Sequence, residues 1–248
     1  MTPASCVTST TVSTPRPYGG AVDTLIAEDL LLLLLDDEKG TMTSSYERPL
    51  LGGALLVELS LAGQVEVEHT RILRTARARA TGHGGTPVDP LLADALSVVA
   101  EKSRSAQQLV DKLGKGLRPA LLDRLVARGL IERRRSKVLG LFPRTTWPAA
   151  DARHEAEVRQ RLQASLVDGR EPDPRTAALA ALLAAVDRAH KVVERGEVPA
   201  KTVKKRAKEV GEGHWASDAV RASVQASQAA VMAAVTASTA AASAGSGS

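Results

Sequence analysis

Two basic residues three positions apart, Lys115 and Arg118, stand immediately before Pro119. Proline is favoured in the first turn of a helix, so this spacing predicts that both cations lie at a helix N-terminus. Free backbone N–H groups and the positive end of the helix dipole already attract anions there. Because basic side chains are otherwise unfavourable at this end, the pair predicts an anion-binding site.

The five histidines do not indicate a catalytic or metal site. None stands at metal-ligand spacing from another histidine or from the single cysteine, Cys6. The sequence also lacks a phosphate-binding loop ending in Lys-Ser/Thr and a Gly-x-Ser-x-Gly nucleophile elbow. We therefore predict a protein that is not an enzyme and that uses no metal or cofactor.

The overall composition indicates the class of partner and the class of fold. A net charge of +5 and a pI of about 9.6 suit an anionic partner, whether nucleic acid, phosphoinositide or membrane surface. Aromatic residues make up only 2% of the chain, while hydrophobic residues make up 44%. The core must therefore consist of Leu, Val and Ala, which favours helices over a β-sandwich.

Several patterned segments precede the basic pair and must position it. The six leucines Leu30–Leu35 fall in a predicted helix over 23–37, with Thr24 as its N-cap. About 20 apolar residues are needed to span a bilayer, so this run predicts a buried core helix. Beyond it we predict a turn at 37–40 and a strand or loop at 41–49. Pro49 and Gly52-Gly53 are predicted to break the chain before a helix at 54–61, and a strand is predicted at 63–69.

The remaining elements surround and follow the pair. Helices are predicted at 89–101, 105–113 and 119–128, the last ending at Gly129. Leu130-Ile131 and Val138–Phe142 then predict the two strands of a hairpin whose tip is the basic segment 132–137. Further helices are expected at about 151–167, 173–194, 199–210 and 214–242.

A winged helix that binds nucleic acid is one interpretation of this order. Three helices followed by a hairpin with a basic tip outline a helix-turn-helix with its wing. The helix after Arg118 would then enter the major groove. Its only charged groups are Asp123, Arg124 and Arg128, and it has no Asn, Gln or Ser to read base edges. Nucleic acid is therefore the less favoured partner.

A second interpretation comes from resemblance. The leucine run from Thr24, the segment Gly53-x-Leu-Leu-Val-Glu-Leu-x-Leu-x-Gly63, and the segment Leu125-Val-Ala-Arg-Gly-Leu-Ile131 resemble the Golgi phosphoprotein 3 family. Their order and spacing fit over residues 22–235, and the 53–63 segment is the most specific of them. The composition, which lacks Asn and is rich in Ala and Arg, is typical of a bacterial member.

The resemblance implies both a fold and a function. The fold would be mainly α, a single compact helical domain with short β-hairpins over residues 22–242, preceded by a disordered leader at 1–21 and followed by a flexible tail at 243–248. The protein would be a non-enzymatic peripheral membrane protein in the cytoplasm, at the inner face of a membrane. It would bind an anionic phospholipid headgroup, phosphatidylinositol 4-phosphate in the family, and act as an adaptor for the cytosolic tails of membrane enzymes.

The resemblance also implies the site residues. The family's pair of basic residues in the lipid pocket corresponds to Lys115 and Arg118. The family's pocket tryptophan has no identical counterpart, and Tyr46 is the nearest aromatic residue. Gly52 occupies the position of the family's pocket arginine, with Arg48 nearby as a substitute. The resemblance thus predicts a headgroup site with an altered wall.

A final expectation concerns self-association. The hairpin around Val138, Leu139, Leu141 and Phe142 corresponds to a family element that resembles an oligomerisation arm. We therefore expect the chain to form a homo-oligomer, in addition to binding lipid and protein tails.

A loop residue is expected to contact the membrane directly. An exposed aromatic or apolar side chain, Tyr46 or Met42, would insert into the membrane interface.

Overall fold

Helices dominate the part of the chain that the computed structural model describes, residues 24–35, 46–70, 75–138, 142–212, 225–233 and 236. The prediction of a mainly α fold with small antiparallel strand pairs is confirmed. The helices are α1 (Ile26–Leu34), α2 (Glu47–Leu61), α3 (Pro90–Glu101), α4 (Ala106–Gly114), α5 (Leu117–Ala127), α6 (Arg153–Leu166), α7 (Pro174–Ala185) and α8 (Ala200–Glu212), and residues 225–233 are also helical.

Two small antiparallel sheets complete the described part. One has the order β1 (Val65–Thr70), β2 (Thr75–Ala80) and β3 (Arg104–Ser105). The other is the two-stranded ribbon of β4 (Arg134–Val138) and β5 (Phe142–Thr146). The predicted strand at 63–69 is confirmed, since Val65 and Val67 are buried while Glu66 between them is partly exposed.

The leucine run forms the centre of the core, as predicted. Leu30 to Leu33 are buried within α1, and Leu35 is buried at its C-cap. Each buried leucine side chain contributes about 1.5–3 kcal/mol by leaving water. The helix begins at Ile26 and its N-cap is Leu25 instead of the predicted Thr24, whose hydroxyl donates to the Asp29 carboxylate.

Helix α2 corrects the predicted break at Pro49 and Gly52-Gly53. The helix runs without interruption from Glu47 to Leu61. Pro49 lies in its first turn, where the missing N–H has no intrahelical partner to lose. The two glycines are tolerated inside the helix because one of them is needed for packing.

Gly52 lies where α2 crosses α4 at very short distance. A Cβ atom added to Gly52 would overlap the Val110 carbonyl oxygen and would lie 2.7 Å from the Gly114 nitrogen. Gly114 in turn packs against the Arg48 carbonyl, which a Cβ on Gly114 would also overlap. This pair of glycines brings the first turns of α2 against the C-terminal end of α4.

The chain then turns sharply from α4 into α5. Lys115 is the C-cap of α4, and Gly116, with φ of 71°, is the N-cap of α5. This left-handed conformation favours glycine. Helix α5 therefore begins at Leu117, two residues before Pro119, and the prediction that both cations lie at its N-terminus is right for Arg118 and wrong for Lys115, which ends α4. The helix ends as predicted, with Gly129 following it at φ 71°.

The hairpin is present, but its predicted register is wrong. The basic residues form the strand β4 rather than the tip, with Arg134 opposite Thr146 and Val138 opposite Phe142. The predicted tip therefore lies within the ribbon, and the connection falls at 139–141, so that Leu139 and Leu141 lie outside the described residues. A two-stranded ribbon has no buried face to require apolar alternation, which is why charged residues are tolerated along β4.

Helix α7 is shorter than the predicted helix at 173–194. It ends at Ala185, and Asp187 adopts a left-handed conformation with φ of 54°. The Arg188 N–H donates to the Leu183 carbonyl (2.9 Å) and the Asp187 N–H to the Ala184 carbonyl (3.1 Å), which is a Schellman motif. Aspartate tolerates this conformation better than most residues. The turn leads into a 3-10 segment, Ala189–Lys191.

The described helices bear on the membrane expectation in one respect: none of them is long and apolar enough to cross a bilayer. The predicted leader at 1–21 and the tail at 243–248 lie outside the described residues, as does Met42.

The glycine crossing can be tested with a matched pair of substitutions. We expect Gly52→Ala to lower the free energy of unfolding by about 1–3 kcal/mol, because its Cβ overlaps a backbone carbonyl. Gly53→Ala should be neutral or stabilising by up to about 1 kcal/mol, since its Cβ would meet nothing closer than Ser227 Cβ at 3.4 Å and alanine is the better helix former. Urea unfolding curves measure both, and equal stability of the two variants would contradict the crossing.

Candidate functional site

Three of the predicted headgroup residues meet where the first turn of α2 packs on the α4–α5 corner. Lys115 and Arg118 flank Gly116 in this corner, and Arg48 enters it from α2. We call these three side chains the basic corner. Helix α5 has no side-chain cap, so its first N–H groups add to the positive potential at this place.

Lys115 is the exposed cation of the basic corner. Within the described part of the chain its ammonium forms no hydrogen bond or ion pair. An unpaired ammonium beside an uncapped helix N-terminus is ready to bind an anion without first losing another partner.

Arg118 is held by an acidic neighbour. Its Nε lies 3.0 Å from Glu47 Oε1, but the N–H is not aligned for a hydrogen bond with this oxygen. Burial raises the pKa of Glu47 more than the nearby Arg118 guanidinium lowers it. The ion pair therefore connects α2 to α5 while leaving the Nε hydrogen-bonding capacity of Arg118 unsatisfied.

Arg48 is bound to α4. Its Nε donates to the Asp111 carbonyl (3.0 Å) and its Nη2 to the Asp111 carboxylate (2.9 Å), and both side chains are about half exposed. This exposed ion pair contributes little to stability. It orients the guanidinium at the edge of the basic corner.

The other two predicted headgroup residues face inward. Tyr46 is only 7% exposed, so it belongs to the core instead of reaching a membrane interface. Its ring packs under the Arg188 guanidinium, with 5.7 Å from Cζ to the ring centroid. Gly52 is buried at the crossing with α4 and has no surface for a ligand. Both residues position α2 beside the basic corner.

A buried ionic network around the start of α1 was not anticipated from the sequence. Glu28 is fully buried, and its carboxylate accepts from the Leu25 N–H (2.7 Å) and from Arg124 Nε (3.0 Å). Arg128 Nε lies 3.4 Å from the same carboxylate. Arg124 also pairs with Asp89, the N-cap of α3, at 2.5 Å. Glu28 thus connects α1 to α5 and, through α5, to α3.

Asp29 makes the corresponding connections on the other side of α1. Its carboxylate contacts His154 Nε2 of α6 at 2.7 Å and Arg175 Nη2 of α7 at 3.0 Å. Burial alone would raise the pKa of Asp29, but the hydrogen bond from His154 and the charge of Arg175 outweigh it, so this pKa is lowered. The same hydrogen bond raises the pKa of His154.

Glu58 joins this network from inside α2. Its carboxylate caps the start of α1, because it accepts from the Ile26 N–H (2.6 Å). Its other oxygen accepts from Arg175 Nη1 (2.8 Å). Burial raises the pKa of Glu58 more than Arg175 lowers it. A carboxylate within an apolar helix was the available signal, but its partners lie 32 and 117 residues away.

The histidine in this network does not form a catalytic triad. Thr24 Oγ1 and Asp29 Oδ1 lie 3.0 Å and 2.7 Å from the same His154 nitrogen, Nε2. A triad needs the carboxylate on one ring nitrogen and the nucleophile on the other. The arrangement therefore serves to hold α6 against α1.

The geometry of α5 also bears on the nucleic-acid alternative. Arg124 and Arg128 point toward Glu28 in the interior and are not presented to a phosphate backbone. Leu121 and Leu125, which share this face of the helix at i, i+3 and i+4 spacing, are buried in the core, as is Leu122. Helix α5 therefore offers little that could read a major groove.

Comparison with known proteins identifies a family. The model of the family described as Golgi phosphoprotein 3 (GPP34) matches residues 26–227, which include α1 to α8 and the basic corner. A search of curated proteins gave no match to the chain.

The buried network predicts a large effect of removing its central cation. We expect Arg175→Gln to lower the free energy of unfolding by about 3–5 kcal/mol, because Asp29 and Glu58 would be left buried without their counter-charge. Arg153→Gln is the matched control, since Arg153 is 88% exposed and its one ion pair among the described residues is with Asp151 at the surface. Chemical denaturation of both variants measures the difference, and equal midpoints would contradict the role given to Arg175.

The His154–Asp29 pair predicts a pH dependence of stability. Because the folded-state pKa of His154 is raised, its contribution is complete below the unfolded value of 6.5 and is lost as pH rises through the folded pKa. The lowered pKa of Asp29 keeps that carboxylate charged down to below 3.8. The stability of the native protein relative to His154→Gln should therefore shrink between about pH 5.5 and about pH 8.5, as urea titrations at both pH values will show. A constant difference would contradict a charged His154.

Proposed function

The chain belongs to the Golgi phosphoprotein 3 family, and on this premise we propose that it is a non-enzymatic peripheral membrane protein that binds an anionic phospholipid headgroup. The headgroup ligand by family resemblance is phosphatidylinositol 4-phosphate. A further role as an adaptor for the cytosolic tails of membrane enzymes belongs to the same proposal.

The observation that supports this proposal best is the basic corner. Lys115 is exposed and unpaired within the described residues, Arg118 beside it is partly exposed, and the α5 N-terminus next to them has no side-chain cap. A hydrogen bond to a charged group contributes about 1.5–3 kcal/mol. Two or three of them to one phosphate reach micromolar affinity after the costs of association.

The altered wall of the site changes which groups can take part. The residues nearest to the family's aromatic and arginine positions, Tyr46 and Gly52, are buried. Arg48 is the cation available on that side, once it exchanges its surface partner Asp111 for a ligand. We therefore assign headgroup binding to Lys115, Arg118 and Arg48.

The β4–β5 ribbon carries the proposed self-association. Its strands pair only with each other in the described sheets, so both are edge strands that a second copy could extend. Val138 is the register partner of Phe142 at the far end of the ribbon.

Liposome flotation tests the headgroup site. The native protein should float with phosphatidylcholine liposomes that contain phosphatidylinositol 4-phosphate and should stay behind with phosphatidylcholine alone. Lys115→Glu combined with Arg118→Gln should weaken binding at least about tenfold, because the lost charged hydrogen bonds are worth more than 1.4 kcal/mol.

The control is a double substitution with the same change of charge on another surface. Lys201 and Lys208 are exposed on α8 and have no ion-pair partner in the described chain, so Lys201→Glu with Lys208→Gln is matched. General attraction to an acidic surface amounts to about 1 kcal/mol for each nearby cation and would affect both variants alike. Equal losses, or no binding of the native protein to any acidic liposome, would overturn the site.

A further inference from the structure

An open cavity of about 180 Å³ lies beside the basic corner, between α3 and the turn from α4 to α5. Its walls are mainly apolar. The side chains concerned are Leu91 and Val98 of α3, Leu113 of α4, Leu117 and Ala120 of α5, and Leu55 of α2.

The charged side chains that line this cavity are two cations and one carboxylate. Lys112 and Lys115 lie on the α4 side, and Asp94 lies on the α3 side. Lys112 is already bonded to Glu101 at 2.9 Å. Lys115 therefore remains as the cavity-lining cation that forms no ion pair among the described residues, and it lines both this cavity and the basic corner.

Such a cavity suits a ligand with one negative end and one apolar end. An apolar cavity of about 150 Å³ is large enough for a benzene ring, so this one admits several methylene groups. The negative end would lie at Lys115, away from the Asp94 carboxylate. A phospholipid has this distribution of charge, with its phosphate next to its acyl chains.

We propose that the cavity takes up part of one acyl chain of the anionic phospholipid whose phosphate is bound at Lys115. The inference rests on the proposed function and adds to it a second, apolar contact. A lipid is favoured over an acidic peptide, because several carboxylates would be repelled by Asp94. It is favoured over a second copy of the chain, because the cavity is continuous with the basic corner through Lys115.

Water-soluble lipid analogues separate the two contacts. The probes are glycerophosphoinositol 4-phosphate, which has no acyl chain, and the dibutanoyl and dihexanoyl forms of phosphatidylinositol 4-phosphate, all used as monomers in calorimetric titrations. Each methylene that leaves water for an apolar site tightens binding about fourfold. The native protein should therefore bind the dihexanoyl form at least about tenfold more tightly than the dibutanoyl form.

Substitutions that fill the cavity should remove this chain-length effect. Ala120→Phe fills it from α5, and Val98→Phe fills it from α3, so that two variants with different effects on folding report on one site. Ala127→Phe is the matched control, because Ala127 is exposed on the same helix, two turns beyond Ala120, and does not line the cavity. The ratio of the two affinities should approach one in both filled variants and should keep its native value in the control.

The outcomes distinguish this inference from the proposed function. If all three probes bind the native protein equally well, the headgroup site stands and the acyl contact is overturned. The same conclusion follows if the chain-length effect persists in both filled variants. If no probe binds, the proposed function fails and the inference fails with it. If Ala120→Phe alters the sedimentation coefficient of the free protein, the cavity is an interface between copies, and the lipid assignment is wrong.

Discussion

The arrangement of the helices depends on two adjacent carboxylates in the first turn of α1. Glu28 and Asp29 are buried at 0% and 2% exposure, so each needs a partner from another helix to offset the cost of leaving water. Glu28 pairs with side chains of α5, and Asp29 pairs with side chains of α6 and α7. The leucines that follow supply most of the apolar contact, but they are not directional. The carboxylates determine which helix packs on which side of α1.

The basic corner is a consequence of this arrangement. The ion pair between Arg124 and Glu28 fixes α5 against α1. The N-terminal end of α5 then lies beside the residues of α2 and α4 that form the rest of the corner. The close approach at Gly52 brings the first turn of α2 there. Cations that are far apart in sequence therefore meet on elements that are rigid for reasons unrelated to ligand binding, which is the arrangement that a preorganised site requires.

Local patterns in the sequence predicted the helices and the basic pair, because capping, periodicity and the position of Pro119 are local signals. These local patterns gave wrong predictions where the conformation of a segment depends on residues that are distant in the sequence. In the sequence Gly52 resembles a helix break, but in the structure it allows the close approach of α4. In the sequence Tyr46 resembles an exposed loop aromatic, but in the structure Arg188 and the core enclose it. The register of β4 was misjudged because an isolated ribbon imposes no alternation of apolar residues. Family resemblance supplied the proposal of headgroup binding, which these local patterns leave open.

The crossing at Gly52 has a consequence for how this protein can evolve. A residue with any side chain at that position disturbs the backbone of α4, so the crossing admits almost no variation. Lys115, by contrast, is exposed just beyond the crossing, where an exchange disturbs no packing. The architecture and the proposed ligand site can thus change separately although they share the same few turns of helix. A lineage could alter the proposed anion site by substitutions at the surface while the glycine crossing, and with it the fold, stays the same.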